Sequence, residues 1–305
     1  MKALITGISG QDGFYLSKFL QYMDYEVIGL QRRVSQGHKL PDCRVIGCDI
    51  TDASAVARVM AEIKPDEVYN LAAQSHVGES FKIPSYTYQV NAVGALNVLE
   101  AARNVGAAFY QASTSELFGL SGSPQHEDTP FHPRSPYAVA KLAAYWQTIN
   151  YREAYGMKTA NGILFNHESP KRGDDFVTQK VCRHVAHIAK GGKTPLKLGN
   201  LDARRDWGHA QDYVTAMWLA LKNGGEYVVA TGISHSVREL CEKAYGRIGV
   251  DYKKWVVVDE TLKRPAEVPD LKGDPRKIEG LGWIRKYDFD SLIDEMVDHA
   301  LSTAT

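Results

Sequence analysis

The chain has 305 residues, enough to bury one large core or two modest ones. Its 36 basic and 36 acidic residues leave no net field to draw a polyanion, so nucleic acid is not expected as a partner. No apolar run approaches the roughly 20 residues of a membrane-spanning helix, so no membrane association is expected, and no leader is expected before the strand-like run that begins at Lys2.

Lys2–Thr6 reads as a short buried strand, and Gly7, Gly10 and Gly13 follow at G-x-x-G-x-x-G spacing within Gly7-Ile8-Ser9-Gly10-Gln11-Asp12-Gly13. Residues 14–23 carry a helical pattern, and 26–30 a second strand. Glycines between a strand and a helix let the backbone approach a pyrophosphate, which then rests on the helix N-terminus. Such a triplet can also be only a tight turn; the strand before it and the helix and strand after it favour the dinucleotide. The second strand runs into Gln31-Arg32-Arg33 with no acid for a ribose hydroxyl, which favours NADP over NAD. A solvated Arg pair at a strand end is the alternative.

Residues 44–47 form a third predicted strand, followed by Cys48-Asp49-Ile50-Thr51-Asp52 and a helix over 53–63. Asp49 is placed to meet an adenine amino group, whereas Asp52 could equally be a helix N-cap. A fourth strand over 67–71 leads into Ala72-Ala73-Gln74-Ser75, small residues against which ribose and phosphates can lie. A long helix over 85–104 precedes a fifth strand, 107–112, which ends in Ser113-Thr114-Ser115-Glu116. Ligands of open α/β sheets bind at the carboxyl ends of strands, so a hydroxyl donor and a carboxylate stand there at a candidate site. Tyr137-Ala138-Val139-Ala140-Lys141 opens a helix reaching about residue 155, with Tyr137 and Lys141 on one face. Strands alternating with helices this regularly predict an α/β fold with a doubly wound, parallel Rossmann-type sheet.

Residues 159–164 are another buried strand, 166–173 a polar, loop-like segment, and 191–207 a Gly/Pro-broken basic stretch containing Lys193, Lys197, Arg204 and Arg205. The expected division is a Rossmann domain over 1–165, to which 211–231 returns, and a mainly substrate-binding, smaller α/β domain over 166–305. The apolar spacing in 292–301 is that of an amphipathic core helix. His167 and Glu168, past a strand end, suggest a second cofactor contact; as a metal pair they lack further ligands. Cys43, Cys48, Cys182 and Cys241 make neither a C-x-x-C pair nor a zinc spacing, so no metal and a reducing, cytoplasmic setting are expected. Structural alternatives stand beside each candidate: Tyr-x-x-x-Lys occurs by chance, Glu116 could cap or salt-bridge, and Ser113 and Ser115 could satisfy backbone groups.

Tyr-x-x-x-Lys after the glycine unit resembles the extended short-chain dehydrogenase/reductase superfamily. The strings ALITGISGQDG, YNLAAQSHVGESF, FYQASTSELFG, PRSPYAVAKL, NGILFNHESPKRG and LGNLDARRDWGHAQDYV are, more closely, similar to the GDP-mannose 4,6-dehydratase family, over nearly the whole chain. The resemblance implies catalytic roles for Thr114, Glu116, Tyr137 and Lys141. It implies NADP contacts at the glycine turn from Gly7 to Gly13 (Ile8, Ser9, Gln11 and Asp12 included), at Arg32 and Arg33, and at Asp49 and Ile50. Further contacts follow at Leu71 to Ser75, Tyr86, Tyr137, Lys141, His167 and Arg172. Ser75, Thr114 and Asn166 are implied substrate contacts, and Lys180, Arg205 and Arg264 are candidates for its pyrophosphate, with a solvated basic face as the alternative.

The implied substrate is GDP-mannose or a close GDP-sugar. Tyr137, its phenol acidified by Lys141 and the oxidised nicotinamide, takes the C4 hydroxyl proton while hydride leaves C4; Thr114 holds the C4 oxygen. The ketone acidifies C5, Glu116 removes that proton and protonates the leaving C6 hydroxyl, and hydride returns to C6. A related dehydratase acting on a GDP-manno-heptose, a decarboxylase, an epimerase or a reductase of nucleotide sugars is the runner-up. A silent Rossmann-type binding protein typically loses the Tyr or the Lys, and both are present. One departure stands out: between Arg33 and Asp49 the chain is short where the family carries a longer loop that reaches a neighbouring subunit. Lys171 and Ala143 replace the family's usual Arg and Tyr. Helices over 85–104 and 137–155 resemble the family's four-helix dimer interface, so a homodimer or homotetramer is expected.

Overall fold

The computed structural model describes residues 1–33, 43–262 and 266–304. The strand β1 (Lys2–Thr6) shows why its sequence is an unbroken apolar run: Ala3 and Ile5 join one core and Leu4 the other. Helix α1 (Gln11–Tyr22) follows the glycine turn, then β2 (Glu26–Gln31), β3 (Arg44–Gly47) and α2 (Ala53–Ile63). Asp52 caps α2, accepting from the Ala55 amide at 2.9 Å, a contact worth about 1 kcal/mol. After β4 (Glu67–Asn70) and α3 (Val77–Ser80), the helix expected over 85–104 is α4 (Pro84–Tyr88), a π-helical stretch Gln89–Gly94 and α5 (Ala95–Asn104). The widened turn accompanies a close approach, since a Cβ on Gly94 would stand 2.9 Å from Ile50 Cδ1.

Next come β5 (Ala108–Ala112), a 3₁₀ turn Ser115–Leu117, α6 (Pro136–Tyr155) and β6 (Thr159–Leu164). Ser135 caps α6 by accepting from Ala138, Pro136 occupies its first turn, and Gly156 ends it with φ of 64°. The remaining elements are β7 (Asn166–Glu168), α7 (Val177–Ala189), β8 (Leu196–Leu198), β9 (Arg204–His209), α8 (Ala210–Asn223) and β10 (Gly225–Val229). They end with β11 (Ser234–Ser236), α9 (Val237–Gly246), β12 (Val256–Val258), β13 (Asp270–Leu271), α10 (Arg276–Glu279) and α11 (Phe289–Thr303).

Seven strands form one parallel sheet in the order β10-β6-β5-β4-β1-β2-β3. Leu16 and Leu20 of α1 pack with Tyr213 and Met217 of α8 in one core, and Val56 and Met60 of α2 with Val98 and Leu99 of α5 in the other. The sheet is therefore covered by helices on both sides, the doubly wound α/β arrangement expected. Its order reverses between β1 and β4, the topological switch point. A second layer gathers β7, β11 and β13 on β9, with β8 paired to β12, around a core from α7, α9 and α11.

Two expectations of irregular chain are corrected here. Asn166–Glu168, expected as loop, is a strand beside Trp207, Gly208 and His209; it is polar throughout, with His167 and Glu168 held by specific partners, so no apolar alternation announces it. The stretch 191–207 likewise contains β8 and most of β9.

Candidate active site

The glycine turn is shaped by close approach. Gly7 has φ of 71°, and a Cβ there would stand 2.9 Å from the Ala72 amide nitrogen; one on Gly13 would stand 2.6 Å from Ile8. No side chain caps α1 at Gly10, which leaves its first amides for a ligand. Around the turn lies a cavity of about 820 Å³ lined by Gly7, Ser9, Gly10, Gln11, Asp12 and Gly13. Gln31, Arg32, Arg33, Asp49, Ile50 and Tyr86 line it from β2, β3 and α4, and Leu71 to Ser75, with Arg172, line it from above the sheet. Ile8 is the exception among the expected contacts: its side chain is fully buried over Gly29, away from the cavity. Arg32 hydrogen-bonds the Tyr86 hydroxyl, and Asp49 accepts from the Thr51 amide at 3.0 Å and hydroxyl at 2.8 Å. Buried oxygens Oε1 of Gln31 and Gln74 have no partner among the described residues. Uncapped helix-end amides, a glycine turn without side chains, two arginines and spare acceptors suit a phosphorylated dinucleotide.

Asn91, in the π-helical stretch, was not legible as a site residue. Its Oδ1 accepts from the Gln74 amide at 2.8 Å and its Nδ2 donates to the Gln74 carbonyl at 2.9 Å, fixing the strip 71–75 over the turn.

A second cavity, about 440 Å³, shares Asp12, Leu71, Ala73, Ser75 and Arg172 with the first. Thr114, Glu116, Tyr137 and Lys141 converge in its wall, each less than a tenth exposed. Thr114 Oγ1 accepts from the Glu116 amide at 3.2 Å, turning the chain so that both side chains border the cavity, and the Thr114 hydroxyl hydrogen-bonds the Tyr137 phenol. Lys141 Nζ donates to the Ala112 carbonyl at 2.9 Å and lies 6.0 Å from the Tyr137 ring centre. Burial pushes the Tyr137 phenol up to about 12, with Thr114 opposing it, and pushes Lys141 down to about 8. The acidified phenol expected from the sequence is therefore not produced by these residues alone. Ser113 Oγ, expected to satisfy a backbone group, is buried without a partner among the described residues and faces this cavity.

β7 lines the second cavity and is tied to Gln11 and Asp12, which line the first. His167 Nδ1 stands 2.7 Å from the Phe165 carbonyl, which only accepts, and Nε2 stands 2.9 Å from Asp12 Oδ2, so both ring nitrogens donate. Burial opposes both charges, but their attraction and hydrogen bond outweigh it: Asp12 is held below the usual carboxylate range and His167 above the usual imidazole one. Gln11 ties the same segment, donating to the His167 carbonyl at 3.0 Å and accepting from Ser169 Oγ at 2.7 Å. Glu168, buried, accepts from the Thr178 hydroxyl and lies 3.1 Å from Arg172 Nε, while Arg172 stacks 3.6 Å over Phe176.

Asn166, Lys180 and Arg205 also line the second cavity. Lys180 is exposed, whereas Arg205 is held beneath the wall, donating to the carbonyls of Arg204 at 2.8 Å and Val268 at 2.9 Å. Arg264 lies outside the described residues, as do positions 34–42 in the short segment after Arg33.

A sequence model of GDP-mannose 4,6 dehydratase matches residues 4–296. The chain is 51% identical to GDP-mannose 4,6 dehydratase 1 of Arabidopsis thaliana, over 99% of this chain and 90% of that one. Among solved structures, UDP-glucose 4-epimerase of Thermus thermophilus in complex with NAD superposes with TM-score 0.90 at 28% identity, covering all of both chains. RMD of Pseudomonas aeruginosa complexed with NADPH superposes with TM-score 0.82 at 27% identity, over 99% of this chain and 97% of that one. The chain belongs to the GDP-mannose 4,6-dehydratase family.

Proposed function

We propose that this chain is an NADP-dependent hydro-lyase that converts GDP-mannose to GDP-4-keto-6-deoxymannose and water. The observation that carries the reading is the convergence of Thr114, Glu116, Tyr137 and Lys141 on a cavity that opens onto the glycine turn. Gly7 to Gly13, Arg32, Arg33, Asp49 and the strip 71–75 are assigned to hold NADP, with His167 and Arg172 at the junction of the two cavities. When bound, NADP supplies a hydride acceptor for C4 of the hexose and a hydride donor for C6.

Tyr137, ionised to its phenolate once the positive charge that bound NADP⁺ would bring is added to that of Lys141, takes the C4 hydroxyl proton, and the Thr114 hydroxyl orients the C4 oxygen. A C4 ketone makes the C5 hydrogen acidic; the Glu116 carboxylate removes it and delivers a proton to the C6 hydroxyl, which leaves as water. Lys141, fixed by the Ala112 carbonyl, places its ammonium beside the phenol and favours its ionised form. Asn166, Lys180 and Arg205 are assigned to the nucleotide sugar, residues 166–305 to the substrate portion and 1–165 with 211–231 to the dinucleotide portion.

Exposed Tyr88 on α4 and Val139, Trp146 and Tyr155 on α6 support a homodimer through these helices, measurable by mass photometry. No helix among the described residues is long and apolar enough to cross a membrane, and a cytoplasmic location is part of the proposal. The purified protein with GDP-mannose and NADP⁺ is expected to show loss of the mannose spin system and growth of a 6-deoxy methyl signal by NMR. Unchanged GDP-mannose beside turnover of another nucleotide sugar contradicts the substrate assignment.

A further inference from the structure

A buried polar chain crosses the carboxyl ends of three neighbouring strands. Thr6 Oγ1 accepts from the amides of Leu71 at 3.1 Å and Ala72 at 3.0 Å, and donates to Asn70 Oδ1 at 2.7 Å. Asn70 Nδ2 donates to Gln111 Oε1 at 2.9 Å, and Gln111 Nε2 donates to the Ala112 carbonyl at 2.9 Å. That same oxygen receives Lys141 Nζ at 2.9 Å. Thr6, Asn70 and Gln111 stand at one level of the sheet, Thr6 opposite Asn70 and Asn70 opposite Gln111, and none is more than 1% exposed. Polar side chains in a sheet covered on both sides are costly unless every one finds a partner, and here each hydrogen bond fixes the next.

We propose that Gln111 is a positioning residue for Lys141: by sharing the Ala112 carbonyl oxygen it sets where the ammonium stands, and Asn70 sets the orientation of its amide. The Asn70 amide donates, so the Gln111 carbonyl must face it and the Gln111 NH₂ must face Ala112. Ala112 O, with a donor on each side, cannot tilt toward one without losing the other. The Gln111 NH₂ and the Lys141 ammonium are two positive donor ends on one acceptor, so the amide competes for the oxygen that would otherwise favour the charged lysine. Other charged groups face this position: Asp12 from α1 favours the ammonium, the Tyr137 phenol lies on the same helix, and Glu116 and Arg172 act on that phenol. His167 faces Asp12 from β7.

The test is Gln111→Met, close in shape and without hydrogen bonds, together with Gln111→Glu, which can donate to Ala112 only while protonated. In the ligand-free protein carrying lysine labelled with ¹³C at Cε, with the signal assigned by its loss in Lys141→Met, the Lys141 titration midpoint is expected to rise by at least about half a unit in Gln111→Met. Turnover of GDP-mannose is expected to fall about tenfold in kcat with KM changed less than about twofold. Gln111→Glu is expected to keep activity at low pH and to gain a falling limb as its carboxyl ionises, which a merely structural residue would not produce. An unmoved Lys141 midpoint in Gln111→Met overturns the proposal; if that variant does not fold, a Gln111→Glu pH profile superposable on that of the unaltered protein overturns it. The kcat arm rests on the proposed function, but the titration does not: failure to turn over GDP-mannose leaves the Lys141 midpoint to decide.

Discussion

The two walls of the site are built from different materials. On the β1 side the ligand-facing surface is backbone: glycines that pack against Ala72 and Ile8 where a side chain would collide, uncapped amides at the start of α1, and the strip 71–75 held by Asn91. On the β7–β9 side it is charge carried on buried side chains: His167 against Asp12, Glu168 against Arg172, Arg205 on two carbonyls. The first wall tolerates few substitutions because a Cβ has nowhere to go. The second tolerates changes of shape but not removal of one partner from a pair.

The largest effect is expected where chemistry sits between the walls. Tyr137→Phe should lower kcat by roughly two to four orders of magnitude while the protein still binds NADP⁺, read by turnover and by ligand titration. Glu116→Gln should permit hydrogen removal from C4 yet block water loss, seen as reduced-nicotinamide absorbance that persists with no deoxysugar formed. Normal dehydration by that variant removes Glu116 from the mechanism.

On the backbone wall, Gly7→Val combines a φ of 71° with a Cβ 2.9 Å from Ala72 N, and should weaken NADP⁺ binding by about a hundredfold or more in calorimetric titration. Retained affinity would show that the turn is not where the pyrophosphate rests. On the charged wall, Asp12→Asn leaves a buried imidazolium unpaired and should cost about 3 kcal/mol in denaturant unfolding near pH 6. The sign follows from the two shifts. Raised His167 contributes stability present below 6.5 and lost as pH rises through its folded value. Lowered Asp12 contributes stability present above 3.8 and lost as pH falls through its folded value. The difference between the proteins should therefore be greatest between these limits and shrink on either side. The smallest effect is expected for exposed Lys180→Ala, a rise in KM of only a few fold with kcat intact.

Much of the backbone wall was legible in the sequence because its signals are local. β1 and β6 read as apolar runs since both their faces are covered, and Asp52 sits at a helix start where a short polar side chain belongs. The charged wall was less so. His167 and Asp12 are 155 residues apart, and nothing in either neighbourhood announces the pair. β7 hid because a strand of three polar residues has no alternation to read, and the π-helical stretch because the approach of Gly94 to Ile50 that accompanies it joins residues distant in sequence. Gln111 and Asn70 sat unremarked inside strand patterns, where their polarity has meaning only once β1, β4 and β5 lie side by side.

The most direct test of the central claim follows one hydrogen. GDP-mannose carrying deuterium at C4, turned over in ordinary water, is expected by NMR to yield a 6-deoxy product with that deuterium in its C6 methyl group; in heavy water, unlabelled substrate should acquire one deuterium at C5. Loss of the C4 label to solvent, or a product that retains the C5 hydrogen, would contradict the account.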